Sequence, residues 1–515
     1  MSSWDRLPAE IRSMILEAVA EDYRFDSEQP YGRAGYARVC REWQPVFEQR
    51  NFQRLVLDQD RIDDLEQFMT KQRRELLEHV SLRIRLPEYD CTVCQSEEDE
   101  ETIRNTNVDL DSNDDVFSTA VWKLLAILSK WIVPEFESRR QQKGLTLELG
   151  VYSPSDSQHT TRDFHLEPEY PYQEAKDLDS HFEAYKQRAN RLGLDSLNDP
   201  YHSWVDGHQD PDSISLESKQ RIMGTLTINP TLSKAGNKKK FPNVEIVTGL
   251  LIRREFYRKI AVGSLRKLLR ESLTCLRWFR HEGWLDVDPQ QQLGFEKAYK
   301  NLLLKNLPPT LRSLSLFSSS NKLLHPERFT GWRANRFLGK ALSKPSRSLE
   351  TLSAAFLIEA QDFFADFWPP LTSHLLYPEI GRGKIRKLLM AAGRAAAFMP
   401  KLQAMEIWNG GEGHAALFRY ERHPNHKTNP NPQITWASTW GNNIQLPLDV
   451  ILCWSNLPQH GSRGCGTKVE RIKRSRKNVK TFSIAIRYLK LRRSVLDLVS
   501  DYQVFWEEYQ LCSKD

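Results

Sequence analysis

A short apolar pattern recurs along this chain and limits the folds that it can adopt. In each copy a large apolar residue is followed three positions later by Leu or Met, and two positions after that by another apolar residue. This spacing is typical of a short strand with one buried face. The complete copies are Phe52-x-x-Leu55-x-Leu57, Leu311-x-x-Leu314-x-Leu316 and Leu402-x-x-Met405-x-Ile407, and partial copies begin at Val244, Leu273 and Leu349.

Helix-like segments separate the copies, at residues 250–269, 356–367 and 385–398. A strand followed by a helix, repeated, predicts a curved solenoid with a parallel strand face. The gaps between copies run from about 30 to about 50 residues, which is longer and less even than the 20 to 29 of regular leucine-rich repeats. An ordinary α/β domain, in which such alternation is common, is the alternative. Either way, the sequence predicts an α/β fold.

The composition restricts the class of protein. At roughly 150 residues per domain, the 515 residues allow two to four folded units. No uninterrupted apolar stretch approaches the roughly 18 residues of a membrane span, and the start MSSWDRLPAE carries charges where a signal peptide is apolar. Seven cysteines are too few, and odd in number, for a secreted disulfide framework. We therefore expect an intracellular protein, cytoplasmic, nuclear or both, that does not enter a membrane.

Two polar segments interrupt the apolar pattern. Residues 97–115 carry nine acidic side chains against Arg104 alone, which predicts a disordered acidic loop. Residues 153–218 are rich in Asp, Ser, His and Pro, but their Tyr and Trp predict that part of this insertion packs against the body. The predicted organisation is a helical unit at 1–50, the first repeat-like strands at 51–90, the acidic loop at 91–115, and an irregular repeat region at 116–515 that contains the insertion 153–218.

The first 50 residues predict a small helical unit. An apolar stripe at helical spacing runs from Leu7 to Val19, and Pro8 suits the first turn of that helix. A second stripe from Tyr36 to Trp43 is stopped by Pro45, which itself suits the start of a third short helix.

No standard catalytic or metal motif is complete. Cys91-Thr-Val-Cys94 has the spacing of half a zinc site, but no second C-x-x-C exists, and His79 and His159 stand at no recognisable spacing. The sequence contains no phosphate-binding loop of the form G-x-x-x-x-G-K-[ST]. It also lacks the catalytic motifs G-x-S-x-G and H-E-x-x-H. We expect two reduced thiols at the edge of the acidic loop, no metal and no cofactor, in a protein that is not an enzyme. A catalytic group assembled from distant residues of the C-terminal half is the alternative.

The C-terminal half contains a basic run and a group of closely spaced Trp residues. The basic run 468–477 lacks the interleaved aromatics of single-strand nucleic-acid binders and is interpreted as a solvated loop. Four of the 14 Trp lie within residues 408–454, which predicts a binding surface for a protein substrate, because Trp, Tyr and Arg dominate binding hot spots. Burial of these Trp in the core is the alternative. The candidate substrate-binding residues are Trp408, Arg419, Tyr420, Trp436, Trp440 and Trp454.

The N-terminal residues resemble the F-box. Leu7-Pro8-Ala-Glu10-Ile11 is similar to the LP-x-E-[IL] start of that family, and Val39-Cys40-Arg-Glu-Trp43 is similar to its V-C-[RK]-x-W end. The loop between the two segments is several residues longer than in the family. Residues 399–410 and the Ile434-Thr-Trp436 stretch resemble a large group of filamentous-fungal F-box proteins.

The resemblance implies a three-helix module that docks on the Skp1 adaptor of a cullin–RING ubiquitin ligase, while the downstream region recruits the substrate. Such a subunit raises the local concentration of substrate near the ligase and needs no catalytic residues of its own. The alternative is a non-catalytic scaffold protein whose F-box-like helices cap the solenoid and bind no adaptor. By the resemblance, the residues at or supporting the adaptor interface are Leu7, Pro8, Ile11, Ile15, Leu16, Val39, Cys40 and Trp43.

Overall fold

The computed structural model of the chain forms two units, residues 1–332 with 348–351, and residues 333–347 with 352–515. It describes residues 4–22, 32–91, 94, 100–131, 144–159, 187, 190–191, 193–228, 240–320, 323–325, 335–367, 380–411, 413–422, 432–439, 446–458, 468–473 and 482–504.

Three helices begin the first unit: α1 at Ala9–Asp22, α2 at Gly32–Tyr36 and α3 at Trp43–Gln53. The predicted first helix is therefore confirmed, whereas the second stripe is not a helix, because residues 37–42 form turns. Pro45 lies in the first turn of α3, where its missing N–H has no intrahelical partner to lose. Helix α3 runs directly into the first strand, so no linker separates these helices from the sheet.

Six strands of the first unit form one sheet in which every adjacent pair is parallel. Their order across the sheet is their order along the chain, without a reversal. One row of apolar residues crosses all six strands in register: Leu55, Val80, Leu147, Leu250, Phe279 and Leu314. The strands are β1 at Arg54–Leu57, β2 at His79–Arg85, β3 at Leu145–Tyr152, β4 at Val247–Ile252, β5 at Trp278–Trp284 and β6 at Ser313–Ser319.

The α/β prediction is confirmed, and the apolar pattern gives strands at all three of its complete copies. The predicted helical segment 250–269 is only partly helical, because its first residues complete β4 and the helix begins at Val262. The remaining helices of the first unit are α4 at Ile62–Phe68, α5 at Lys71–Leu76, α6 at Glu100–Leu128, α7 at Leu216–Met223, α8 at Val262–Lys267, which continues as a π turn to Ser272, and α9 at Pro289–Lys305.

The acidic segment differs most from its prediction. Residues 100–115 were expected to be a disordered loop, but they form the first half of α6. Its second half buries a row of apolar residues that includes Phe117, Leu124 and Leu128, and acidic residues at the start of a helix lie at the positive end of its dipole. The carboxylate of Asp114 also accepts a hydrogen bond from the Thr227 N–H at 2.7 Å. Burial of one half thus sustains a helix whose other half is strongly charged.

The second unit contains a smaller mixed sheet. Strand β7, at Thr351–Ala355, precedes this sheet in the chain and is not one of its strands. Strands β8 at Ala404–Gly411 and β9 at His414–Glu421 form a hairpin, and Gly413 in its turn has φ +70°, a conformation that glycine adopts readily. Strand β10 at Gln433–Ser438 pairs antiparallel with β9, and β11 at Lys468–Lys473 pairs parallel with β10. The basic run predicted as a loop therefore supplies a strand.

The described residues of the second unit also contain six α-helices. They are α10 at Arg336–Leu342, α11 at Ala360–Phe363, α12 at Ile380–Ala396, α13 at Leu448–Ser455, α14 at Phe482–Arg487 and α15 at Arg492–Val495. The core between sheet and helices includes Leu389, Phe418 and Trp454. Among the described residues, no helix has the length and apolar character needed to cross a bilayer.

Candidate functional site

Helix α1 carries apolar residues on two opposite sides. Leu16 and Ala20 are buried, and they pack against Phe47 of α3. At 3.6 residues per turn, the residues around Ile11 and Ile15 face the other way. These side chains are exposed, with 41% of the surface of Ile11, 63% of Met14 and 38% of Ile15 open to solvent. The helix thus uses one apolar side for its own core and leaves the other uncovered.

The residues assigned to the adaptor interface divide into three groups in the structure. The first group is exposed to solvent and consists of Pro8, Ile11, Ile15, Val39 and Cys40. Val39 has 58% of its surface open to solvent. Leu7 and Trp43 are half-buried. Leu16 is buried in the helical core with 1% exposed, so it supports the surface from within and is not available for contact with a partner.

Two polar contacts fix the start of α1 against the start of α3. The indole Nε1 of Trp4 donates to Glu42 Oε2 at 2.9 Å, and Arg12 Nε lies 2.8 Å from Glu42 Oε1. The ring of Trp43 stacks on Phe47, with centroids 5.4 Å apart and planes 15° apart. The exposed side of α1 and the exposed Val39 are therefore held on one rigid helical group.

The candidate substrate-binding residues of the second unit are mostly core residues. Tyr420, Trp436 and Trp454 are buried, with at most 5% exposed. The Trp454 indole N–H donates to the Leu389 carbonyl at 3.0 Å, which satisfies its polar atom inside the core. Tyr420 and Trp436 lie on the inward face of their strands, and Trp454 lies on the inward side of α13. These three side chains therefore leave almost no surface for a substrate. Trp440 lies outside the described residues.

Trp408 and Arg419 are half-buried. The Trp408 ring packs edge-on against Phe356, with centroids 5.4 Å apart. The Arg419 guanidinium donates to Glu406 Oε1 and to the Tyr488 carbonyl, both at 2.5 Å. Arg419 thus serves an internal contact, and Trp408 alone of the described candidates keeps part of an aromatic face available.

The interior of the first unit contains a buried network of charged residues that sequence reasoning missed. Glu148 on β3 contacts His79 Nε2 at 2.7 Å, Arg54 at 3.3 Å and Arg253 at 3.3 Å. Burial by itself raises the pKa of Glu148, but the charges of Arg253 and His79 outweigh it and hold that pKa well below its usual range. Burial also lowers the pKa of His79, although its hydrogen bond with Glu148 opposes the shift. This network joins β1, β2 and β3 and is a structural element of the sheet.

A group of Cys and His side chains was also missed. The ligand atoms of Cys91, Cys94, His159 and His202 all lie within 4.8 Å of one another. The Cys91-x-x-Cys94 spacing gave a partial signal, but the two His come from distant parts of the sequence. The expectation of two thiols at the edge of an acidic loop differs from the structure, in which Cys94 is buried and both Cys adjoin His side chains.

Comparison with known proteins gives one family. Residues 306–497 match a family model described as "Family of unknown function (DUF6546)", and they include β6 and most of the second unit. No F-box model matches the N-terminal helices. No curated protein and no solved structure matches this chain.

Proposed function

We propose that this protein is the substrate-recognition subunit of an SCF-type ubiquitin ligase, acting in the cytoplasm, the nucleus or both, with helices α1–α3 as the module that binds a Skp1-like adaptor. One observation carries the proposal. Ile11, Met14 and Ile15 form an uncovered apolar side on a helix whose other side already fills the core. The F-box-like residues that precede α1 and lie between α2 and α3 supply the expected neighbours of such a surface.

The energetics favour a partner on this side of α1. Each Ile contributes up to about 1.5 to 3 kcal/mol when it passes from full exposure to full burial. Clustered exposed apolar residues mark interaction sites more often than scattered ones do. An adaptor that covers Ile11, Met14, Ile15 and Val39 would recover this free energy in binding.

In this proposal the body of the chain recruits an unidentified protein substrate. The parallel strands follow one another across the sheet in chain order, which supports an irregular leucine-rich-repeat-like solenoid, since solenoids stack each repeat on its predecessor. Substrate recognition without catalysis fits a chain in which no standard catalytic motif occurs. Trp408 remains a candidate contact residue.

A second function has its own observation. Helix α3 continues directly into β1, and Arg73 of α5 contacts Glu48 of α3 at 2.8 Å. These contacts favour a scaffold protein in which α1–α3 cap the sheet and bind no adaptor. The two functions predict different behaviour of the exposed side of α1.

Direct binding separates them. The purified full-length chain is titrated with a purified Skp1-family adaptor, alongside the double variant Ile11→Ala/Ile15→Ala. Loss of two apolar contacts should weaken binding more than tenfold, because about 1.4 kcal/mol corresponds to one factor of ten. Leu293→Ala is the matched control, since Leu293 is an exposed apolar residue of 39% exposure on α9 of the same unit.

The control variant should bind like the parent. Absence of adaptor binding by the parent chain, or equal binding by the parent and the double variant, would refute the adaptor assignment and leave the capping function.

A further inference from the structure

Three loops meet beyond the carboxyl ends of β2 and β3. Cys91 and Cys94 follow β2, and His159 follows β3 after a single turn of 3₁₀ helix at Pro154–Ser157. Because β2 and β3 are parallel neighbours, their ends lie at the same edge of the sheet. His202 comes from a second short 3₁₀ turn, Pro200–His202, within the polar insertion.

The side chains of these loops converge on one point. Cys91 Sγ lies 2.9 Å from His159 Nδ1 and 3.4 Å from His202 Nε2. Cys94 is placed beside Cys91 by a tight turn in which the Cys94 N–H donates to the Cys91 carbonyl at 3.0 Å. All four ligand atoms lie within 4.8 Å of one another, and Cys94 and His202 are buried.

Each His is oriented by the ring nitrogen that faces away from the cluster. His159 Nε2 lies 3.1 Å from the Tyr89 carbonyl, and His202 Nδ1 lies 2.7 Å from Asp199 Oδ2. A carbonyl and a carboxylate only accept, so these nitrogens donate the hydrogen. His159 Nδ1 and His202 Nε2 then present lone pairs toward Cys91 and Cys94. A carboxylate or backbone carbonyl behind each His is the usual outer partner of a metal-binding imidazole.

We propose that Cys91, Cys94, His159 and His202 bind one Zn²⁺ ion. Two thiolates and two imidazoles are a ligand set typical of structural zinc. Zinc bonds of about 2.3 Å to sulfur and about 2.0 Å to nitrogen require ligand atoms roughly 3.3 to 3.8 Å apart in a tetrahedron. The distances in this cluster bracket that spacing. Binding releases the two thiol protons, and the ion is neither oxidised nor reduced.

The site is structural and not catalytic. Four protein ligands complete the tetrahedron and leave no position for water or substrate. The ion joins the segments after β2 and β3 to the insertion that carries His202. Neighbouring contacts hold the first segment: the Tyr89 hydroxyl donates to Asp156 at 2.9 Å, and Arg221 donates to the Asp90 carbonyl at 3.1 Å.

The same residues contain a second arrangement, a Cys91–His202–Asp199 triad with Cys91 as nucleophile. A triad uses one base for one thiol. Here two His from separate segments direct a ring nitrogen at Cys91, and a second thiol lies within 4.8 Å. A metal ion accounts for the second His and the second thiol. Nucleophilic catalysis has no use for them.

Metal analysis of the untagged full-length protein tests the proposal. Protein purified from zinc-supplemented medium should contain about one zinc per chain by elemental mass spectrometry. The variant Cys91→Ser/His202→Asn should lose the ion. Cys275→Ser/His208→Asn is the matched control, because it removes one Cys and one His of the same unit outside the cluster, and it should keep the ion.

Two further measurements remain decisive where the double variant does not fold. Asp199→Asn keeps all four ligands, and chelator competition should show zinc affinity weakened by 10- to 100-fold, the usual effect of losing an outer partner. Substitution of Co²⁺ into the parent protein should give visible absorption of tetrahedral cobalt with thiolate-to-metal charge transfer. Purified parent protein without zinc, zinc content unchanged in Cys91→Ser/His202→Asn, a Cys91–Cys94 disulfide, or cobalt spectra without thiolate bands would each overturn the proposal.

Discussion

At the scale of single residues, His281 is the clearest source of a pH response in the fold. It lies in β5 with 8% of its surface exposed, and its Nδ1 is 2.9 Å from the Tyr299 hydroxyl. Burial and the positive charge of Lys259 lower the pKa of His281 to about 4, from the ordinary 6.5. His281 is therefore neutral in the folded protein at pH 7.

This lowered pKa makes the folded state sensitive to acid. The unfolded chain takes up a proton at His281 below about pH 6.5, whereas the folded chain does so only near pH 4. The contribution of neutral His281 to the free energy of unfolding is therefore fully present above pH 6.5 and is lost as the pH falls toward 4. We expect the lowered pKa of His281 to reduce the free energy of unfolding by about 2 kcal/mol when the pH falls from 7 to 5. Urea unfolding at both pH values should show that His281→Gln loses less stability than the parent, while His208→Gln, at an exposed position, behaves like the parent. An equal pH response in His281→Gln would contradict this assignment.

The residue types of the candidate sites could be read from the sequence, but the surroundings of those residues could not. Tyr420 and Trp454 were recognised as a dense aromatic group, but their burial depends on α12 and α13 packing on the strands of the second unit. The proposed zinc ligands could not be grouped from the sequence for a similar reason. His159 is 68 positions from Cys91 and His202 is 111 positions from it, so no local spacing relates them. Only the parallel pairing of β2 with β3 brings the first two loops to one edge.

At the scale of elements, helix α1 gives a direct contrast between its two apolar sides. Leu16 is 1% exposed in the helical core, and Ile15 beside it in sequence is 38% exposed. Leu16→Ala should lower the free energy of unfolding by about 2 to 5 kcal/mol, whereas Ile15→Ala should lower it by less than about 1 kcal/mol. Denaturant titration of the isolated chain measures both. Comparable losses in the two variants would mean that Ile15 is covered within the chain and is not free for a partner.

Elements with a strong local pattern were predictable. The complete apolar copies gave strands, and Gly413 gave the hairpin turn, because alternation and positive φ are local properties. Elements whose stability comes from contacts distant in the sequence could not be predicted. The acidic half of α6 is helical although its charge favoured a loop, and β11 exists because β10 pairs with it. Burial of a neighbouring segment or a pairing partner outweighs composition in both cases.

At the scale of the whole molecule, the proposed tasks belong to different parts of the chain. In the proposed function the exposed side of α1 binds the adaptor and the sheet body binds the substrate, and the proposed zinc ion fastens loops at one edge of that sheet. These assignments are independent of one another, since zinc content is measured without an adaptor and adaptor binding is measured with the cluster intact. The family match at residues 306–497 includes neither α1 nor the Cys/His cluster, so it bears only on part of the region proposed to recruit the substrate.

Affinity purification of the full-length protein from cells that express it, followed by mass spectrometry of the proteins recovered, tests the proposed adaptor binding. We expect a Skp1-type adaptor and a cullin to be recovered with the parent chain and lost with Ile11→Ala/Ile15→Ala, while Leu293→Ala retains them. Recovery of neither protein with the parent chain, or of both in equal amounts with the double variant, would contradict it.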